Sequence, residues 1–321
     1  MHSLRLVLFS LICAAPLASA DTLKISIISD SAGSWPLRVA EDKGYFSQEG
    51  LQVDVSVTVD SQKQLAGLAD GTFDITQQAS DHFVRAVQEG KNVFVFMTIS
   101  RPIFDFVVHR DVRTIADLKG KTIALDQPTT GYWLLFRKIF AQNGVPPDAY
   151  TLLPFLGGAE NRWKAVQDGR AQGTFLNPPL SFRAISGGLS RLTGLAEHVP
   201  SYPATSGGAR RDWAKQHPES LEAYLRATIR ATRWLADPAN RDEALAIYAK
   251  RVKAEPKELA ESYDTFIRQG LVPDAKLGMD GMRQMLDLLV ESSQLAADKS
   301  RPELYADASY QEKVERAVSA R

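Results

Sequence analysis

Cysteine is almost missing: Cys13 is the single one in 321 residues, and it falls inside an N-terminal apolar run. Without that run the chain has no disulfide, no thiol nucleophile and no thiolate metal site. A surplus of one charge is missing too. Lys and Arg total 38, as do Asp and Glu, so the basic excess that phosphate neutralisation demands is not there, which argues against a nucleic-acid binder. Histidine is sparse. His82, His109, His198 and His217 stand far apart and show no metal-ligand spacing. Neither a G-x-S-x-G elbow nor an H-E-x-x-H helix occurs, and no acidic pair is spaced to single out proton transfer. Gly120-Lys121-Thr122 resembles the end of a phosphate loop, yet Ile115 stands where the first glycine belongs and the triplet opens a strand. No cofactor and no metal is expected, and the chain reads as a binding protein rather than an enzyme.

What is present is the composition of a folded protein, 44% apolar and 24% charged. Residues 1–5 are basic, residues 6–15 apolar, and Ala18-Ser19-Ala20 offers the small-x-small pattern of a cleavage site, so residues 1–20 read as an export signal. Leu11-Ile12 ahead of Cys13 disfavours a lipoprotein signal. No later stretch approaches the ~20 apolar residues of a membrane span. The expected location is periplasmic.

About 300 remaining residues exceed the usual single core, so two lobes are expected. An internal repeat supports them. Residues 24–43 (KISIISDSAGSWPLRVAEDK) and 121–140 (KTIALDQPTTGYWLLFRKIF) share one design: apolar strand, polar Gly-containing loop, aromatic, amphipathic helix. Residues 66–90 and 164–188 align likewise, and the two offsets agree to within one residue. Alternating strand and helix patterns make each unit α/β. Strict alternation over residues 51–59 predicts a strand at a sheet edge. After about Ser206 the periodicity is helical throughout, punctuated by Pro and Gly. The predicted division is 21–102 for the first part of lobe 1, 103–205 for lobe 2, and 206–321 for completion of lobe 1 by C-terminal helices, with two hinge crossings.

In open α/β sheets ligands bind beyond the carboxyl ends of the strands. The first loop there carries Ser31, Ser34 and Trp35; its repeat partner carries Thr129, Thr130, Gly131 and Tyr132. Free N–H groups and hydroxyls in such turns suit carboxylate, sulfonate or amide oxygens, and they suit ordinary helix capping equally. A second pair of polar loops offers Gln78, Ser80 and Asp81 against Asn177. Ser80 and Asp81 would also serve as caps. Arg101 at the proposed crossover is a candidate cleft charge or a hinge ion pair. Trp35, Tyr132 and Phe104 are candidates to stack a planar ligand, or core.

The segments 36–51 (PLRVAEDKGYFSQEGL), 69–75 (ADGTFDI), 115–125 (IADLKGKTIAL) with Thr129-Thr130-Gly131, and 163–169 together resemble the periplasmic solute-binding proteins of ABC importers. The likeness is to the NMT1/THI5-like branch that takes nitrate, sulfonates, taurine and thiamine-pyrimidine precursors. It implies the type II fold: two α/β lobes, each a sheet flanked by helices, joined by a two-segment hinge. It further implies a small organic solute such as a sulfonate, an aromatic acid or a pyrimidine, delivered by a monomer to a permease and its ATPase. Asp81-His82 departs from the small neutral residues common at that point, which disfavours a simple inorganic anion. An enzyme on the same fold and a ligand-presenting sensor are the competing readings.

Overall fold

The computed structural model describes residues 22–154 and 156–319, so the predicted export signal lies outside the described residues. Its strands are β1 (Thr22–Ile27), β2 (Gln52–Val57), β3 (Ile75–Ala79), β4 (Val93–Ser100), β5 (Asp105–Val108), β6 (Thr122–Ala124), β7 (Thr151–Leu153), β8 (Gly173–Leu176), β9 (Ser190–Gly194) and β10 (Thr205–Arg210). They form two five-stranded sheets, ordered β2-β1-β3-β10-β4 and β7-β6-β8-β5-β9. The two orders are one plan used twice. In each sheet the first three strands of the unit run parallel, and the fourth position is taken by an antiparallel strand that has just arrived from the other sheet. β5 follows the outward crossing, β10 the return.

Seven helices belong to the repeated units: α1 (Trp35–Asp42), α2 (Tyr45–Gln48), α3 (Ser61–Asp70), α4 (Ser80–Gln88), α5 (Gly131–Gln142), α6 (Ala159–Gln167) and α7 (Leu180–Ser186). The tail adds α8 (Arg211–Gln216), α9 (Pro218–Ala236), α10 (Arg241–Ala249), α11 (Pro256–Thr265), α12 (Met279–Glu291) and α13 (Ser309–Ser319).

Local sequence explains the strands well. β1 buries Leu23, Ile25 and Ile27 at alternate positions, as a half-covered parallel strand requires. β2 alternates and lies at the edge of its sheet, as its pattern predicts. β4 is an unbroken buried run, VFVFMTIS, although it too ends the sheet. Its outer edge is covered instead of exposed: Val95 N–H donates to Tyr305 O at 2.8 Å, Asp307 N–H to Val95 O at 2.9 Å, and Val272 N–H to Ile99 O at 3.1 Å. An apolar edge strand left bare would pair with other chains.

Three expectations change. The polar loop anticipated over residues 76–82 does not exist, because β3 continues to Ala79 and α4 starts at once with Ser80. β3 is held on both sides, by β1 and by β10, so Gln77 and Gln78 extend the strand despite their polarity. β10 itself, TSGGAR, carries no strand pattern. It fits because Gly207 and Gly208 lie against Met97, Phe96 and Phe83, where a Cβ has no room. Finally, the tail does not stay with one lobe. α9, α10 and α11 share the first sheet's core with Trp35, Tyr224, Tyr248 and Phe266. α12 lies in a second cluster that spans both lobes, its Met282, Met285, Leu286 and Leu289 grouped with Trp133 and Leu134 of α5 as well as Phe83 of α4 and Val95 of β4, and Lys138 pairs with Glu291 at 2.6 Å. The cause is α5, GYWLLFRKIFAQ, which is buried on most of its circumference and needs a cover on the side away from its sheet.

Candidate functional site

The carboxyl ends of the two sheets face each other, and the turns beyond them touch. Gly131 N–H, at the start of α5, donates to Asp81 Oδ2 of α4 at 2.9 Å. Arg85 Nη1 donates to Thr129 O at 3.0 Å. Ala32 N–H reaches Pro178 O at 3.4 Å. Tyr132 packs on Phe104 with centroids 4.2 Å apart and the rings tilted by 34°, and it donates its hydroxyl to Ala204 O on the return crossing at 2.8 Å. Residues from both lobes and both crossings therefore meet in one place.

Charge at this junction is concentrated on Asp81, which is 0% exposed. Burial raises its pKa, but the Arg85 guanidinium, the His82 ring and the Gly131 N–H together hold the carboxyl below its ordinary value. Arg85 also bonds Asp81 directly. A helix N-terminus favours an anion, and here the chain's own carboxylate supplies it. His82 Nδ1 meets Gln78 Oε1. Because Gln78 Nε2 donates to Ser61 O at 3.4 Å, its Oε1 is the acceptor and Nδ1 carries the proton. Burial lowers the His82 pKa, and the attraction of Asp81 does not restore it, so the ring is neutral at pH 7.

Residues 32–241 match the family model described as NMT1/THI5 like. The chain belongs to that family. Relatives in the family's company include YtlA of Bacillus subtilis, named as a binding protein, which is 22% identical over 302 residues, 90% of this chain and 89% of that one. The bicarbonate transport ATP-binding protein CmpC of Synechocystis is 26% identical over 239 residues; the match covers 67% of this chain but only 35% of CmpC. Among solved structures, the nitrate-binding protein NrtA of Synechocystis superposes with a TM-score of 0.79 at 15% identity, covering 94% of this chain and 90% of that one. The alkanesulfonate-binding protein SsuA of Xanthomonas axonopodis bound to MOPS gives 0.75 at 16%, covering 90% and 100%. These likenesses establish the two-lobed periplasmic-binding-protein fold.

Within this NMT1/THI5-like chain, the residues singled out from sequence divide into three groups. Asp81, Thr129, Thr130, Gly131 and Tyr132 come together at the junction described above. Arg101 lies on the outward crossing, half-buried, its N–H donating to Gly270 O at 2.7 Å and its guanidinium without a described acceptor. Asn177, also half-buried, adjoins Pro178, which touches the first lobe.

The others are corrected. Trp35 is 0% exposed and sits in the first lobe's core, stacked on Tyr248 at 4.2 Å, with its indole N–H donating to Ala244 O at 3.1 Å. Its faces are taken by protein, so it does not stack a ligand. The tail helices claim Trp35; Tyr132, at the matching repeat position, is also buried but lies against the two crossings, through Phe104 and Ala204. Ser80 is fully buried and bonds Ser206 Oγ at 2.7 Å, tying α4 to β10. Ser34 serves its own turn: its hydroxyl accepts from Ser31 N–H at 3.0 Å and donates to Ser31 O at 2.9 Å, bonds in which the half-buried Ser31 takes part through its backbone alone. Gln78 is committed to His82 and Ser61, so it shapes the junction rather than facing it.

Sequence reasoning missed Arg85, Tyr202, Asp126 and Arg162. Tyr202 lies on the return crossing, its hydroxyl packed over Gly131 and without a described partner. Arg162, in α6, is 5% exposed; Nη1 donates to Gly157 O at 2.9 Å and Nη2 to Phe175 O at 3.1 Å. The repeat itself held its signal. The offset that aligns residues 66–90 with 164–188 aligns Gln64 with Arg162 and Gln77 with Phe175, and Gln64 Nε2 donates to Gln77 O at 3.2 Å.

Proposed function

We propose that this chain is an extracytoplasmic solute-binding protein, exported by residues 1–20 and acting as a monomer, which captures one small organic solute between its lobes and delivers it to an ABC permease with its ATPase. The observation that carries this reading is the junction: turns from the carboxyl ends of both sheets meet through Asp81, Gly131, Arg85 and Thr129. Family membership and the neighbours that bind nitrate or alkanesulfonate support it. No described helix is long and apolar enough to cross a membrane.

Function then follows from a population shift. The lobes exchange between open and closed arrangements, and a solute favours closure only through contacts it makes in the closed form. A micromolar affinity corresponds to about 8 kcal/mol, within reach of several hydrogen bonds and stacking on Tyr132 and Phe104. Mass spectrometry of protein purified without denaturation tests the reading. One small molecule bound per chain is the expected result; a chain that carries none and shows no thermal shift with sulfonates, aromatic acids, amines or pyrimidines overturns it.

A further inference from the structure

Arg162 is a buried cation without a counter-ion. Its side chain pairs with no described carboxylate, and its Nε is buried with no hydrogen-bond partner. Of five guanidinium N–H groups, the Gly157 and Phe175 carbonyls use two. Both carbonyls lie at the carboxyl end of the second sheet, and β8 leads within three residues to Pro178, which touches the first lobe. The guanidinium also lies 4.7 Å from the centroid of Phe175. From there a row of rings runs toward the cleft: Phe104 stands edge-on to Phe175 at 5.8 Å, and Tyr132 packs on Phe104 at 4.2 Å.

The tie to the strand carbonyl does not require this charge. In the first lobe the repeat-equivalent Gln64 makes the same helix-to-strand bond with a neutral amide. Lobe 2 thus carries a buried positive charge that its architecture can do without, and such a charge is costly unless an anion meets it. Asp126, half-buried on the turn after β6, exerts a favourable charge on it without forming an ion pair. The remaining N–H groups form a fork that fits a planar or tetrahedral oxoanion.

Resting on the solute-binding reading, we infer that Arg162 is the residue that selects the ligand, receiving the carboxylate or sulfonate head of an organic anion whose flat body lies against Phe104, the partly exposed ring of this row. The α5 N-terminus does not play that part, since Asp81 already fills it.

The test is calorimetry and thermal shift on the full mature chain with benzoate and benzenesulfonate, against benzamide and benzylamine, in wild type and R162Q. Arg162→Gln copies the neutral tie of Gln64, so it keeps the fold. The expected result is binding of the two anions only, lost at least 30-fold in R162Q with an unchanged ligand-free Tm. R162K, which keeps charge but not the fork, provides the second variant and loses about tenfold. Anion affinity equal in R162Q and wild type, or benzamide or benzylamine binding as tightly as benzoate, overturns the assignment while leaving solute capture intact. Absence of any bound or co-purified small molecule overturns solute capture itself.

Discussion

Asp81→Asn probes the junction most sharply. The carboxylate is fully buried, accepts from Gly131 N–H at 2.9 Å, and is paired with Arg85. Asparagine keeps one acceptor for Gly131 and nearly the same shape, but it removes the charge that balances Arg85 and the α5 N-terminus. Breaking a buried pair costs about 3–5 kcal/mol. The Arg85 side chain is 24% exposed, so water recovers part of that, and a loss of about 2–3 kcal/mol is expected. At roughly 2–4 °C per kcal/mol for a chain of this size class, Tm at pH 7 falls by about 5–10 °C. The acid limb gives the sign. A carboxyl held below its ordinary value of 3.8 contributes stability that is present above that value and lost as pH falls through the folded pKa. The gap between wild type and D81N should therefore begin to narrow near pH 4 and close as pH falls through the lower, folded pKa. Thermal unfolding across pH measures both effects. A Tm unchanged within 1 °C at pH 7, or a gap that persists undiminished in acid, refutes the reasoning.

Other perturbations follow from the same geometry. Trp35→Ala removes a fully buried indole stacked on Tyr248 and should cost about 3–5 kcal/mol of stability, while the folded fraction keeps its ligand affinity in calorimetry. Gly131→Ala drives a Cβ into the Tyr202 hydroxyl; Tm should fall, and adding Tyr202→Phe should restore part of it, because that hydroxyl has no described partner. Desolvation holds the half-buried His82 below its ordinary pKa of 6.5 in the folded chain, so stability declines as pH drops through that region toward the folded value. His82→Gln should flatten this slope in denaturant titrations between pH 7 and 5.

Much of the fold could be read from residues because ordinary patterns carry it: alternation in β2, helical periodicity in α9 of the tail, and strand–turn–helix segments of the repeat at matching offsets. What escaped depends on neighbours distant in sequence. β10 is a strand only because β3 and β4 flank it, and no propensity marks TSGGAR. Trp35 and Tyr132 occupy equivalent positions, and only the packing of α10 and α11 around Trp35 closes both of its faces. Ser31, Ser34 and Ser80 were recognisable as polar turn residues, but whether a hydroxyl caps a helix or meets a ligand depends on what stands opposite. Arg162 gave no local motif, yet comparing it with Gln64 across the repeat exposes the one difference that matters, a charge.

Hydrogen exchange on the protein with and without its co-purified solute addresses the central claim most directly. Capture between lobes predicts added protection in both sets of facing segments, residues 77–85 on the first lobe and residues 127–134 and 175–181 on the second. Protection confined to one lobe, or none in either, contradicts it.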